Sequence, residues 1–353
     1  MIREGIQKLI EGANLTYEES REVLKEVMLG KATNAQIAAF LTALRMKGET
    51  VEELIAFAEI MREHCCRINP CVHGRLLDTC GTGGDRIKTF NISTTAAFAV
   101  AGAGIAVAKH GNRSVTSQSG SADVLERLGL NLNMKPEVVQ NTIEQVGIGF
   151  MFAPVFHPAM KYAVGPRKEI GIRTVFNVLG PLTNPACANA QLLGVYDPKL
   201  TAPIAHALHK LGCEEAMIVH GLEGLDEIST VGKTAISWLK KGQVTTIETT
   251  PKNFGVEQAK IEAIKGTTPE ESAEILFKIL NGHSATDDPR RDIVLVNSAA
   301  GIIVGGKAED FGYGMEVARK SIDSGAAYKK LKALVKASDG NLAKLEELES
   351  KYA

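Results

Sequence analysis

Three evenly spaced capping boxes decide how the chain begins. Thr16–Glu19, Thr33–Gln36 and Thr50–Glu53 each place a hydroxyl three residues ahead of an acid or amide. The hydroxyl accepts from the N–H three residues on, and the longer side chain reaches back, so each pair starts a helix. Apolar residues follow at helical spacing: Ile37, Phe40, Leu41 and Leu44, then Leu54, Ile55, Ala58 and Met61. Gly30 and Gly48 are placed to stop two of these helices. The first 66 residues therefore predict a small module of packed helical hairpins, not a long solenoid.

Asn69-Pro70 and Gly74 read as a linker. The texture then changes to short apolar strands alternating with helical patterns. Leu76-Leu77-Asp78, residues 105–108 and residues 217–219 read as strands, and residues 93–102 and 122–128 as helices. That rhythm predicts an α/β domain with a mainly parallel sheet. The expected division is a helical domain over 1–72 and an α/β domain over 73–353. Residues 164–186, broken by Gly, Pro and Asn, run between the modules, and part of them contributes to the first. The charged tail from 325 reads as a solvated helix pair.

Charge narrows the function. Forty basic side chains face 41 acidic ones, a net charge of −1, so a general electrostatic grip on nucleic acid is not expected. No apolar run approaches the ~20 residues of a membrane span. The N-terminus lacks a signal-peptide core, so a cytoplasmic protein is expected. The six cysteines read as free thiols. Cys65, Cys66 and Cys71 between His64 and His73 lack the paired spacing of a structural zinc site.

Four stretches carry chemistry. The first, DTCGTGGDRIKTFNIST (78–94), joins Asp78 at a strand end to a glycine turn and then to hydroxyls at a helix start. Glycine lets a ligand approach the backbone, and a helix N-terminus suits an anion. Neither a Walker loop nor GxGxxG is present. The second, KHGNRSVTSQSGSADVLERLG (109–129), also follows a strand, and is dense in cations and short donors suited to phosphate oxygens. Its His110 reads as a structural hydrogen-bonding residue or a general base. In the third, HGLEGLDEIST (220–230), adjacent Asp226 and Glu227 either face solvent or, beside phosphates, hold Mg²⁺ with Ser93. In the fourth, Arg167 at the module junction is either a surface residue or a fork for a small carboxylate.

Together GTGGD (81–85), NIST (91–94), KHGNR (109–113), GSADVLE (120–126), HPAMK (157–161), RTVFNVLGPLTNP (173–185) and GLDE (224–227) resemble the anthranilate phosphoribosyltransferase family, in order over nearly the whole chain. The resemblance implies a nucleoside phosphorylase-like phosphoribosyltransferase fold and a homodimer paired through the helical domain. It implies transfer of the phosphoribosyl group from phosphoribosyl pyrophosphate to the amine of anthranilate, with two Mg²⁺ per subunit; from charge and hydropathy, no partner nucleic acid or membrane is expected. Carried over by motif, phosphoribosyl pyrophosphate would meet Gly81, Gly84, Asp85, Thr89, Asn91, Ile92, Ser93 and Thr94. It would also meet Lys109, His110, Gly111, Asn112, Arg113, Ser114, Val115, Thr116, Ser117 and Ser121. Mg²⁺ would sit on Ser93, Asp226 and Glu227, and anthranilate would meet Gly81, Asn112, Arg167 and His110. Arg86, where many members have glycine, and Cys80 depart from the pattern.

The family chemistry agrees with the residues. Pyrophosphate leaves as an anion, so cations can stabilise its departure while the ribose carbon gains oxocarbenium character. The aromatic amine is neutral at pH 7 and needs little activation, so no discrete acid, base or nucleophile is expected. Two rivals share the fold: a pyrimidine-nucleoside phosphorylase, and a non-enzymatic nucleic-acid-binding relative. Asn112 after Lys-His-Gly argues against the first, and the net charge against the second.

Overall fold

The computed structural model describes residues 1–83, 87–114, 119–266 and 268–353. The chain opens with four helices: α1 (Ile2–Ile10), α2 (Tyr17–Met28), α3 (Asn34–Lys47) and α4 (Val51–Glu63). All three capping boxes form. The Oγ1 atoms of Thr16, Thr33 and Thr50 accept from the N–H groups of Glu19, Gln36 and Glu53 at 3.2, 3.3 and 3.2 Å. Glu53 does more than cap. Wholly buried, it accepts from Leu15 N at 2.9 Å and pairs with Lys47 Nζ at 2.7 Å, so it ties the α1–α2 connection to α3 and α4.

Among the described residues seven strands follow in one sheet: β1 (Leu76–Gly81), β2 (Ala106–Gly111), β3 (Ile148–Phe152), β4 (Ala190–Gly194), β5 (Glu215–Gly221), β6 (Thr234–Lys240) and β7 (Gln243–Thr249). Their order is β3-β2-β1-β4-β5-β6-β7. The first five run parallel, and β6 and β7 add an antiparallel hairpin at one edge. Strand β1 lies between β2 and β4, so the winding reverses there. In such sheets the crevice outside the carboxyl ends of the strands at the reversal is where ligands sit. Helix α5 (Ile92–Gly102) follows β1, and α6 (Ser121–Arg127) follows β2.

Two cores flank the sheet. One gathers α5, the helix Pro289–Val304 and the helix Ala326–Ala337. The other runs without a break from Ile2 and Phe57 of the helical module to Leu193 and Ile218 of the sheet, with the helix Thr201–Lys210 between them. The opening module thus shares its core with one face of the sheet. Arg62 at the end of α4 adds polar ties, donating to the carbonyls of Leu182 and Leu211 at 2.9 Å each.

Three sequence expectations need correction. Strands β1 and β2 run on to Gly81 and Gly111, so Asp78 is mid-strand and fully buried, and Lys109 and His110 lie in β2 and not in the loop after it. Residues 164–186 are not simple connection: the helices Lys161–Ile170 and Phe176–Leu182 occupy much of them. Both contain a proline, Pro166 and Pro181, which read as breakers. Each costs one N–H, but Ala163, Pro166, Leu179 and Leu182 are buried by packing on the helical module, and tertiary burial overrides propensity. The tail helix Ala326–Ala337 is charged on one side only, because Leu331, Leu334 and Val335 are buried where it packs on α5.

Candidate active site

At the reversal point two glycines make room for an acid. Gly81 of β1 pairs with Gly194 of β4. A Cβ on Gly81 would stand 2.8 Å from Asp226 Oδ2, and one on Gly194 would overlap the Asp226 backbone carbonyl. The loop after β5 can therefore fold down over the ends of β1 and β4. There Asp226 Oδ2 accepts from Gly83 N at 3.1 Å, and Glu227 Oε1 accepts from Ser93 N at 3.0 Å. Gly83 takes the left-handed turn that glycine permits, with φ 69°. Two carboxylates thus stand at the glycine turn and at the positive end of α5, where negative charge is favoured.

The start of α5 is braced from several sides. Asn91 Nδ2 donates to Ser119 O at 3.3 Å, and Ser119 Oγ donates back to Asn91 Oδ1 at 3.0 Å. This couples the loops after β1 and β2. Thr79 Oγ1 donates to the Ser93 carbonyl at 3.1 Å, while Ile92 and Thr94 are buried. Thr89 forms an isolated antiparallel bridge with Lys265. Gly84, Asp85 and Arg86 lie outside the described residues.

The end of β2 and the loop after it use their cations differently. Lys109 is 3% exposed, and its Nζ donates to Thr79 O and lies 3.4 Å from Thr79 Oγ1. Burial holds its ammonium below the ordinary lysine range, opposed by the charge of Asp78. Asp78, raised by its own burial, accepts from His110 N at 3.2 Å and from Asn184 Nδ2 at 2.8 Å. Gly111 ends β2, and a Cβ there would meet the Phe150 ring at 2.7 Å. Arg113 is clamped by Asp123 at 3.0 Å and Glu126 at 2.8 Å, and Glu126 above all raises its pKa. The Asn112 carbonyl accepts from Ala122 N at 3.2 Å and from Ser121 Oγ at 3.5 Å. Ser114 N donates to Asp123 Oδ2 at 3.0 Å. Val115, Thr116 and Ser117 lie outside the described residues.

Beside this loop lies an imidazole pair. The His110 and His157 rings are 5.0 Å apart, and the Nε2 of each is shut off from solvent without a hydrogen-bond partner among the described residues. Burial pushes His110 down to about 3, aided by His157, and His157 down to about 4. Both rings are neutral at pH 7. Arg167, on the helix Lys161–Ile170, lies over the Phe176 ring at 5.2 Å. Burial lowers its pKa, with no carboxylate among the described residues to offset it.

Sequence reading missed Asp78 as a buried hub, and missed Asn184 and His157. A charged residue inside an apolar strand run was the available signal for Asp78. The other two stand within the quoted motifs, but nothing local marks them as partners of Asp78 and His110.

The helical part, residues 3–65, matches the model of the glycosyl transferase family, helical bundle domain, and residues 73–328 match that of the glycosyl transferase family, a/b domain. The anthranilate phosphoribosyltransferase of Acetivibrio thermocellus is 51% identical over 335 residues, covering 95% of this chain and 96% of that protein. The crystal structure of the enzyme of that name from Thermus thermophilus superposes with a TM-score of 0.88 at 41% identity, over 95% of this chain and 99% of that one. The Saccharomyces cerevisiae enzyme, in complex with phosphoribosyl pyrophosphate and Mg, gives 0.87 at 29% identity, over 96% and 98% of the two chains. It has also been solved with 4-fluoroanthranilate. Similar from end to end, in the helical part as in the α/β part, the chain belongs to the anthranilate phosphoribosyltransferase family.

Proposed function

We propose that this chain transfers the 5-phosphoribosyl group of phosphoribosyl pyrophosphate to the amino group of anthranilate, giving N-(5-phosphoribosyl)anthranilate and pyrophosphate. This is the second step from chorismate to tryptophan. The observation that carries the reading is the meeting of Asp226 and Glu227 with Gly83 N and Ser93 N at the reversal point of the sheet. Glycine turn, helix start and carboxylates converge where a pyrophosphate and its counter-cation can share one crevice.

In this reading Gly81, Gly84, Asp85, Thr89, Asn91, Ile92, Ser93 and Thr94 bind the pyrophosphate and ribose side. Gly111, Asn112, Ser114, Val115, Thr116, Ser117 and Ser121 bind the phosphate from the end of β2 and the second loop, while Lys109 ties β2 to β1 and Arg113 orders the loop from behind. Asp226, Glu227 and the Ser93 hydroxyl form an all-oxygen donor set, which fits Mg²⁺. We assign two ions per subunit; bound there, Mg²⁺ would supply positive charge against the departing pyrophosphate. Arg167 takes the anthranilate carboxylate, with Gly81, Asn112 and neutral His110 around the ring. The rest is positioning: no side chain need remove a proton before the neutral amine attacks.

The working division is a helical domain over 1–72, completed by part of 164–186, and an α/β domain over 73–353. Among the described residues no helix is long and apolar enough to cross a membrane, and we place the protein in the cytoplasm. A homodimer through the helical domain is supported by apolar side chains left open there, Met46 at 84% and Ile10 at 67% exposed. The test is loss of anthranilate fluorescence in the presence of phosphoribosyl pyrophosphate and Mg²⁺, against a chelator control. A Mg²⁺-dependent loss with pyrophosphate release is expected. A folded protein that consumes no anthranilate would sink the proposal.

A further inference from the structure

Residues 258–266 belong to none of the strand-end loops, yet they bind two of them. At one end Gln258 Nε2 donates to Val231 O at 2.7 Å and Ala259 N to Thr230 O at 2.8 Å, just beyond Asp226 and Glu227. At the other end Gly266 N donates to Lys88 O at 3.1 Å, and Lys265 bridges Thr89. The middle is pinned: Ile264 is fully buried, and Arg290 Nε donates to Ala263 O at 3.0 Å. The segment is a strap fastened at both ends and in the middle.

Gly266 is its pinch point. A Cβ there would stand 2.5 Å from both the N and Cα of Phe90. Its backbone is not among the glycines with positive φ, so glycine serves close approach here, not an unusual dihedral. The Phe90 side chain is 1% exposed, locked in the core, and cannot yield. Any side chain at 266 must therefore lift the strap. Lifting breaks the bond to Lys88 and the bridge to Thr89, which brace the run that leads through Asn91 into α5.

We infer that the strap is a positioning element for phosphoribosyl pyrophosphate, holding the loop after β1 in register with the loop of Asp226 and Glu227, and that Gly266 is the positioning residue that permits it. The inference rests on the proposed role of the loop after β1. None of the strap's bonds described above reaches Arg167, His110, Gly81 or Asn112, so its effect should fall on phosphoribosyl pyrophosphate.

The test is steady-state kinetics with each substrate varied in turn, plus thermal melts, on Gly266→Ala, Gln258→Ala and Ser93→Ala. Small displacements at a positioned site cost on the order of 10- to 100-fold, so Gly266→Ala should raise the KM for phosphoribosyl pyrophosphate about tenfold or more. The KM for anthranilate should stay within about twofold, with the melting temperature near that of the parent. Gln258→Ala, at an exposed position, should raise the same KM by roughly two- to threefold. Both KM values unchanged, or both rising with a collapsed melt, overturns the inference. If Gly266→Ala does not fold, Gln258→Ala decides, and an unchanged KM for phosphoribosyl pyrophosphate overturns it. Ser93→Ala separates the two claims. If it raises that KM and Gly266→Ala does not, only the strap fails; if Ser93→Ala also leaves it unchanged, the site assignment fails with it.

Discussion

The loops after β1 and β2 leave neighbouring strands at the same edge of the sheet, and both are rich in glycine, amides and hydroxyls. They spend those groups in different ways. After β1, backbone N–H groups of Gly83 and Ser93 meet carboxylates brought in from a third loop. At the end of β2, Lys109 is buried onto Thr79 of β1, and in the loop that follows Arg113 is held by Asp123 and Glu126. A cation in a loop's sequence is therefore not yet a cation at the ligand. Which carboxylates and carbonyls it can reach decides its use.

The contrast is broken most severely at Lys109. In Lys109→Met the buried Asp78 loses the positive charge that opposes its desolvation, and a buried charge left alone costs about 3 kcal/mol or more. A large drop in the urea midpoint is expected. A variant as stable as the parent that has lost affinity for phosphoribosyl pyrophosphate would show Lys109 facing the ligand after all. Glu227→Gln probes the other loop. It should lower kcat/KM at limiting Mg²⁺ on the order of 100-fold, about 2.7 kcal/mol, with little change in the melt. Full activity at low Mg²⁺ would remove Glu227 from the metal site.

Arg167 is a third kind of cation, half-buried over an aromatic ring and unpaired with any carboxylate among the described residues. Arg167→Ala should raise the KM for anthranilate roughly tenfold and leave that for phosphoribosyl pyrophosphate alone, since a charged hydrogen bond contributes about 1.5–3 kcal/mol. Equal rises in both would deny it a separate carboxylate site.

His110 and His157 give a pH signature to the end of β2. Their folded pKa values, about 3 and about 4, lie below the unfolded value near 6.5. The unfolded chain thus binds more protons between those limits, so stability is complete above about pH 6.5 and falls as the pH drops toward 4. The slope is on the order of 1.4 kcal/mol per pH unit for each ring. Melts from pH 7 to 4.5 should steepen accordingly, and His157→Gln should flatten them. An unchanged slope in that variant would mean the ring is not held neutral.

Legibility in the sequence followed contact range. The capping boxes were readable because each joins residues three apart, and all three formed. The alternating pattern also carried the parallel sheet, since strand and helix periods are local. The site is different. Ser93 and Glu227 are 134 residues apart and join only because Gly81 and Gly194 leave space at the reversal point. Nothing near Gly266 announces that Phe90 lies against it. The helices with Pro166 and Pro181 were hidden for the opposite reason: local breakers were outweighed by distant packing.

Arg113 is where the comparison meets its smallest expected effect and its sharpest test. The guanidinium is about half exposed, and its partners Asp123 and Glu126 belong to α6, which follows directly. Pairs this exposed contribute about 0–1 kcal/mol. If Arg113 only orders the loop, Arg113→Ala should cost less than about 1 kcal/mol, and the KM for phosphoribosyl pyrophosphate should stay within about threefold. Glu126→Gln then tells restraint from support. Were the arginine held back from a phosphate by its carboxylates, loosening the clamp would lower that KM; if the clamp shapes the loop, loosening it raises the KM slightly. A tenfold rise in Arg113→Ala with a fall in Glu126→Gln would mean that Arg113 leaves its carboxylates for the ligand. The loop after β2 would then deliver charge directly, and its contrast with the loop after β1 would vanish.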